Sequence, residues 1–135
     1  MIAENQRLIR VRDSEDELTC IVCPIGCKLH AVRLDDGTLE VTGNQCRRGI
    51  AYAEEEFRDP RRVVTGTCAL RDGVWYRLPV RSSTSVPVQE IAGFLNAMYA
   101  LELIAPVNRG DTVATDVAGT GIDLVATMTV PKEDA

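Results

Sequence analysis

The sequence has few aromatic residues, a single histidine and no long apolar run. Aromatic residues make up 4% of the 135 residues, so the interior has to be built mainly from Val, Leu, Ile and Ala. His30 is the one histidine, so a Ser-His-Asp catalytic triad would have to use it. No pair of acidic residues stands out for general acid–base catalysis. We therefore expect a chain that is not catalytic alone.

An excess of basic residues is also missing. Lysine and arginine number 15 against 20 acidic residues, which gives a formal net charge of −5. Such a chain has no general attraction for phosphate backbones, so we expect no nucleic-acid binding. Without an apolar run of signal-peptide or membrane-span length, we also expect a cytoplasmic protein with no direct membrane insertion.

The chain has five cysteines, and their number and spacing predict a metal site. In the reducing cytoplasm, cysteines serve metal binding or redox chemistry more often than structural disulfides. Cys20, Cys23 and Cys27 follow a C-x2-C-x3-C pattern, and Cys46 lies beyond a predicted hairpin. A tight loop with three thiolates and a distant fourth can complete one coordination shell. The fifth cysteine, Cys68, is interpreted as a small buried hydrophobic residue.

Two kinds of metal centre fit four cysteines. A 4Fe-4S cluster takes four thiolates, and so does a tetrahedral zinc ion. Three ligands crowded into one loop favour the iron–sulfur cluster, because structural zinc sites usually use two separate pairs. Pro24 and Gly26 suit a loop that turns around a bulky inorganic core. Zinc remains the alternative, and His30 would complete a Cys3His zinc site if Cys46 did not reach the other three.

The pattern of strands, turns and helices predicts an α+β fold with more strand than helix. We expect a cysteine-rich, metal-binding hairpin lobe over residues 1–59, and a strand-rich lobe with one main helix over residues 60–135. In the first lobe the pattern predicts a possible first strand over residues 1–12, a hairpin over 28–41 turning at Asp36-Gly37, and a helix over 50–57. In the second it predicts strands over residues 62–70, 74–80, 113–117 and 124–130, with a helix from about 87 to 101 capped by residues 82–85.

The cysteine segments resemble a known redox domain. Residues 19–29 and 43–49 are similar to the N-terminal iron–sulfur domain of molybdopterin-dependent oxidoreductases. The resemblance implies that Cys20, Cys23, Cys27 and Cys46 bind a 4Fe-4S cluster, and that Arg48 takes the place of a basic residue beside it. The rest of the chain is too short to bind a molybdopterin, so the resemblance leaves electron transfer alone.

A second resemblance covers the whole chain. Residues 19–29, 43–53, 60–62, 78–81, 105–107 and 119–127 are similar to a family of small proteins of unknown function that are described by their CxxC motif. In bacteria its members tend to accompany FAD-dependent dehydrogenases of the glycerol-3-phosphate type. This resemblance implies an accessory redox subunit for a flavoprotein partner.

The residues and the resemblances together predict an accessory electron-transfer subunit. It would carry one iron–sulfur cluster for a flavin-dependent dehydrogenase, with a zinc-stabilised structural or interaction module as the alternative. Lys28, Arg47 and Arg48 flank the cysteines, and cations there would either stabilise an anionic centre or guide an acidic partner. We assign Lys28 and Arg48 to this supporting or docking role.

Overall fold

The computed structural model describes residues 15–134, and its fold is α+β as predicted. The described residues divide into two compact units, one ending at Pro60 and the other beginning at Arg61. The expected strand within residues 1–12 lies outside the described residues. Across residues 15–134, no helix is long and apolar enough to cross a membrane.

The first unit is a three-stranded antiparallel sheet followed by one helix. The strands lie in the order β1-β2-β3. The elements are β1 (Glu15–Thr19), β2 (Lys28–Arg33), β3 (Leu39–Thr42) and α1 (Arg47–Arg58). The predicted turn at Asp36-Gly37 is confirmed: Asp36 Oδ1 accepts hydrogen bonds from the backbone nitrogen and the hydroxyl of Thr38, and Gly37 has a φ of +87°.

Two sequence predictions in this unit were incomplete. The sequence analysis placed no strand directly before the cysteines, but Glu15–Thr19 forms strand β1, which pairs with β2 from Glu15↔Val32 to Thr19↔Lys28. Helix α1 begins at Arg47, three residues before the predicted start at Ile50. The first residues of α1 are polar and basic, so the spacing of apolar residues did not indicate that the helix begins there.

The buried side chains of the first unit form one small cluster. The sheet and helix contribute Leu18, Cys20, Leu29, Ala31, Ala53 and Phe57. Arg33 on β2 donates a hydrogen bond from its guanidinium to the carbonyl of Phe57, near the C-terminal end of α1. One of the four candidate ligands, Cys20, is therefore part of the hydrophobic core and not only of a surface loop.

The second unit contains a five-stranded sheet, a two-stranded pair and one main helix. The elements are β4 (Arg61–Arg62), β5 (Thr65–Arg71), β6 (Arg77–Ser82), β7 (Val86–Pro87), α2 (Ile91–Ala100), β8 (Glu102–Ile104), β9 (Thr112–Ala114) and β10 (Leu124–Ala126). The five strands of the sheet lie in the order β8-β5-β6-β10-β9, in which β5 and β8 are parallel and the other neighbours are antiparallel. Strands β4 and β7 form the separate antiparallel pair.

The helix prediction in this unit needs two corrections. Ser82 was expected among the helix-capping residues, but it is the last residue of β6 and fully buried, and its hydroxyl accepts a hydrogen bond from the backbone nitrogen of Val64. Strand β8 was missed: the sequence analysis left its three residues, which begin just after the predicted end of the helix at about residue 101, without an assignment. Short strands carry too few residues for a period of two to be visible.

Helix α2 packs against β5 across the core of the second unit. Phe94 and Met98 on α2 are fully buried. A Cβ atom at Gly66 of β5 would lie 2.7 Å from Met98 Sδ, so this glycine allows the close approach of helix and sheet. Cys68 on the same strand is fully buried, which confirms its interpretation as an interior residue.

Candidate metal centre

The first three cysteines occupy a closed loop between β1 and β2. Thr19 and Lys28 are the last paired residues of the two strands, and the backbone nitrogen of Cys20 donates a hydrogen bond to the carbonyl of Cys27 at 2.8 Å. Gly26 has a φ of +68°, a conformation that L side chains rarely adopt, so the predicted role of this glycine in turning the loop is supported. The loop backbone therefore fixes the positions of Cys20, directly after β1, and Cys27, directly before β2.

A second glycine brings the fourth cysteine to the same end of the sheet. Gly43 has a φ of +87°, and a Cβ atom there would lie only 2.2 Å from the carbonyl oxygen of Lys28. Lys28 directly follows Cys27 in sequence, and Cys46 is three residues beyond Gly43. Close contact between the two backbone segments thus determines the position of Cys46.

Cys46 also begins helix α1, where a basic residue contacts it. Cys46 is the N-cap residue of α1 and is exposed. A hydrogen bond from the side chain of Arg48, with the positive charge of that residue, lowers the pKa of the Cys46 thiol. The first turn of the helix contains no acidic residue.

Arg48 is influenced by three of the four predicted ligands. Its pKa is raised first by the hydrogen bond and charge of Cys46, and then by the charges of Cys23 and Cys20. The loop cysteines and the helix N-terminus therefore lie close enough for their charges to interact.

The four thiols are nevertheless not assembled into a metal-binding geometry. Among residues 15–134 no group of three or more Cys, His, Asp or Glu side chains has the arrangement that holds a metal ion. Cys20 is buried, Cys23 and Cys27 are partly buried, and Cys46 is exposed. The donor set fits a four-thiolate centre in its chemistry and its placement along the chain, but the thiols have to move closer together to bind one.

His30 and Cys68 take other positions. His30 Nε2 lies 2.8 Å from Glu15 Oε1 across the β1–β2 pair, so this ring nitrogen is already engaged by a carboxylate. The structure thus offers no support for His30 as a replacement ligand. Cys68 belongs to the second unit, where burial raises the pKa of its thiol.

The structure adds residues that the sequence analysis did not single out. Ile21, Val22 and Ile25 in the cysteine loop are all exposed. Their signal in the sequence was three aliphatic residues within a short loop, of which the sequence analysis interpreted only the cysteines, Pro24 and Gly26.

Two concave surfaces lie away from the cysteines. A cavity of about 490 Å³ in the first unit is lined by Arg33, Gly37, Thr38, Leu39, Glu54, Phe57 and Arg58. An apolar groove of about 380 Å³ in the second unit is lined by Trp75, Tyr76, Arg77, Pro79 and Met128. Neither includes a candidate ligand.

Comparison with known proteins gives a family and a related fold. Residues 47–128 match the family described as "Protein of unknown function (DUF1667)", a segment that starts directly after Cys46. A protein of Clostridium perfringens, solved by NMR, is similar in fold with a TM-score of 0.50 and 24% sequence identity, over 56% of this chain and 89% of that chain. No curated protein matches the chain.

Proposed function

Because this chain belongs to the DUF1667 family of proteins of unknown function, we propose its role from its own residues: an accessory electron-transfer subunit with one 4Fe-4S cluster. Cys20, Cys23, Cys27 and Cys46 are the ligands, and Arg48 is the supporting cation. The partner is a flavin-dependent dehydrogenase, as the resemblance to the CxxC-motif proteins implies. The subunit is not catalytic alone, and it works in the cytoplasm, where its thiols stay reduced.

One observation carries this proposal. Arg48 lies within the electrostatic influence of Cys46, Cys23 and Cys20, which come from two separate segments of the chain. A backbone hydrogen bond ties Cys27 to Cys20. Gly43 also lies against the carbonyl oxygen of Lys28, so the two segments that carry the candidate ligands approach each other, which supports a shared centre.

The charges at the start of α1 support an anionic centre. The first residues of this helix are Arg47 and Arg48, and no acid is present in its first turn. Positive charge near a helix N-terminus is unfavourable, because the helix dipole is positive there. Four thiolates around a cluster leave a negative centre, which would offset this cost.

The small core of the first unit supports a bound metal of either kind. Its buried apolar cluster contains six residues, of which Cys20 is one. Units with such a small core commonly need a metal or a disulfide for stability. This observation also favours the alternative, a zinc-stabilised structural or interaction module, so the experiment has to separate the two metals.

A 4Fe-4S cluster would supply one-electron transfer, which suits a flavin partner because flavins can exchange electrons singly. The contribution of this chain is to hold the cluster, to exclude water from the buried Cys20 side and to balance the negative charge with Arg48. Substrate chemistry belongs to the dehydrogenase.

Metal analysis after purification without oxygen tests the proposal. We expect brown protein with about four iron and four sulfide per chain, and an absorption band that bleaches on reduction. Colourless protein with about one zinc per chain would instead establish the structural alternative.

Two cysteine variants make the assignment specific. Cys46→Ala should lose the iron, while Cys68→Ala should keep it, because Cys68 is buried in the other unit. Iron content that is equal in both variants would remove Cys46 from the ligand set. The FAD-containing dehydrogenase should copurify with the wild-type chain, and its absence from an otherwise iron-loaded preparation would count against the partner.

A further inference from the structure

The loop that carries three of the cysteines exposes an unusual amount of apolar surface. Ile21 is 72% exposed, Val22 45% and Ile25 64%. The closing hydrogen bond between Cys20 and Cys27 keeps these three side chains on one short loop, so they form a group and are not scattered singly. Grouped exposed aliphatic residues mark interaction sites more often than isolated ones do.

The two segments that carry the cysteines contain basic residues but no acidic ones, unlike the rest of the chain. Of the 20 acidic residues, none lies within residues 18–34 or 41–53, the two segments that contain the four candidate ligands. Lys28 and Arg47 in these segments are exposed. In a chain with a net charge of −5, these two segments thus carry a local excess of positive charge along the sequence, although Glu17 and Glu54 directly border them.

We propose that Ile21, Val22, Ile25, Lys28 and Arg47, here called the cysteine-loop face, form the docking surface for the electron-exchange partner. The partner's contact surface is apolar at its centre and acidic at its rim. This inference rests on the proposed function, since it names the surface through which the same site meets the flavoprotein.

Charge complementarity selects this occupant. An acidic rim would pair with Lys28 and Arg47 and would guide the encounter, while the aliphatic side chains would supply the buried contact. A second copy of this chain would bring cations against cations at the same face. Binding to an anionic vesicle would use the same two cations, and the partner test below separates it from docking of a protein.

The charge part of the proposal can be tested on metal-free protein. Cys46 is exposed, so it can be titrated with a dianionic aromatic disulfide, dithiobis(nitrobenzoate), and with the neutral reagent dithiodipyridine. At one pH the ratio of the two rates cancels the intrinsic reactivity of the thiol. We expect the anionic-to-neutral rate ratio to fall as salt is added, because salt screens the attraction between the anionic reagent and the local cations. If the net negative charge of the chain governed the encounter, the ratio would rise instead.

Matched charge variants assign that attraction to the face. Lys28→Gln with Arg47→Gln should lower the anionic-to-neutral rate ratio severalfold, on the order of threefold or more. Arg109→Gln with Lys132→Gln removes two exposed cations from the second unit and should leave the ratio unchanged. A ratio that rises with salt, or that responds equally to both changes, overturns the proposal.

The apolar part is tested with the FAD-containing dehydrogenase that copurifies with the chain. Ile25→Thr should weaken binding of the purified partner about fivefold or more, because one buried aliphatic side chain is lost from the contact. Ile104→Thr is the matched control, since Ile104 is 63% exposed but belongs to the second unit. Equal effects of the two variants, self-association of the chain, or binding to anionic vesicles in its place would overturn the proposal.

These results separate the two proposals. Colourless, zinc-containing protein refutes the cluster, but the reagent ratio still measures the charge of the face. Protein that is isolated with iron, but whose metal-free form shows no preference for the anionic reagent, keeps the cluster and refutes the docking surface.

Discussion

Replacing Gly43 by alanine perturbs the contact that determines where Cys46 lies. The new Cβ atom would lie 2.2 Å from the carbonyl oxygen of Lys28, a distance that requires the backbone to shift. The φ of +87° adds conformational strain for any L side chain. We expect the left-handed conformation to cost about 1 kcal/mol and the forced displacement about 1–3 kcal/mol, so that the first unit loses about 2–4 kcal/mol of stability.

Gly37→Ala is the control for this experiment. Gly37 has the same φ of +87°, but nothing lies within 4 Å of its Cβ position. It therefore carries the conformational cost of about 1 kcal/mol without the close contact. The difference between the two variants measures the approach of Gly43 to Lys28.

Amide hydrogen exchange of β2 and β3 gives the local stability of the first unit, and iron or zinc analysis gives the effect on the metal. Gly43→Ala should increase exchange in both strands and lower the metal content, while Gly37→Ala should retain most of the metal. Equal exchange and equal metal content in the two variants would refute the account of how Cys46 is positioned.

Three further outcomes follow from contacts in the structure. Ser82→Ala should lower the free energy of unfolding of the second unit by about 1–3 kcal/mol in a urea titration, because the buried nitrogen of Val64 loses its acceptor. Burial raises the pKa of the Cys68 thiol in the folded protein. The neutral thiol therefore contributes its full stability below the pKa of the unfolded chain, and this contribution is lost as the pH rises through the pKa of the folded state. We expect the stability of Cys68→Ala to decline less at alkaline pH than that of the wild-type chain. In metal-free protein Arg48→Gln should move the pH profile of Cys46 alkylation to higher pH, because the side-chain hydrogen bond that lowers its pKa is removed. An unchanged alkylation profile would contradict the contact between Arg48 and Cys46.

Much of the secondary structure could be predicted from local sequence. The hairpin turn at Asp36-Gly37 has its own chemistry, with a carboxylate that accepts from Thr38 and a glycine at positive φ. Helix α1 ends at Arg58, just before Asp59 and Pro60, as the restriction on residues before proline predicts. Strand β8 was not predictable in this way, since its parallel pairing with β5 depends on residues about 30 positions away.

Some features of the candidate site could likewise be predicted from the sequence, and others required the tertiary structure. Residue types and spacing predict Cys20, Cys23, Cys27 and Cys46 as a thiolate donor set, because coordination chemistry depends on which donors are present and how short the loop is. Spacing could not show that Cys20 is buried or that Arg48 interacts with thiols from two segments.

The sequence alone determined the α+β class, the spacing of the four cysteines and the lack of acidic residues within the two segments that carry them, because these follow from local pattern and composition. Only the tertiary structure decided that Gly43 lies against Lys28, and that the apolar residues of the cysteine loop remain exposed. Both depend on which distant backbone segments meet, and no single segment carries that information.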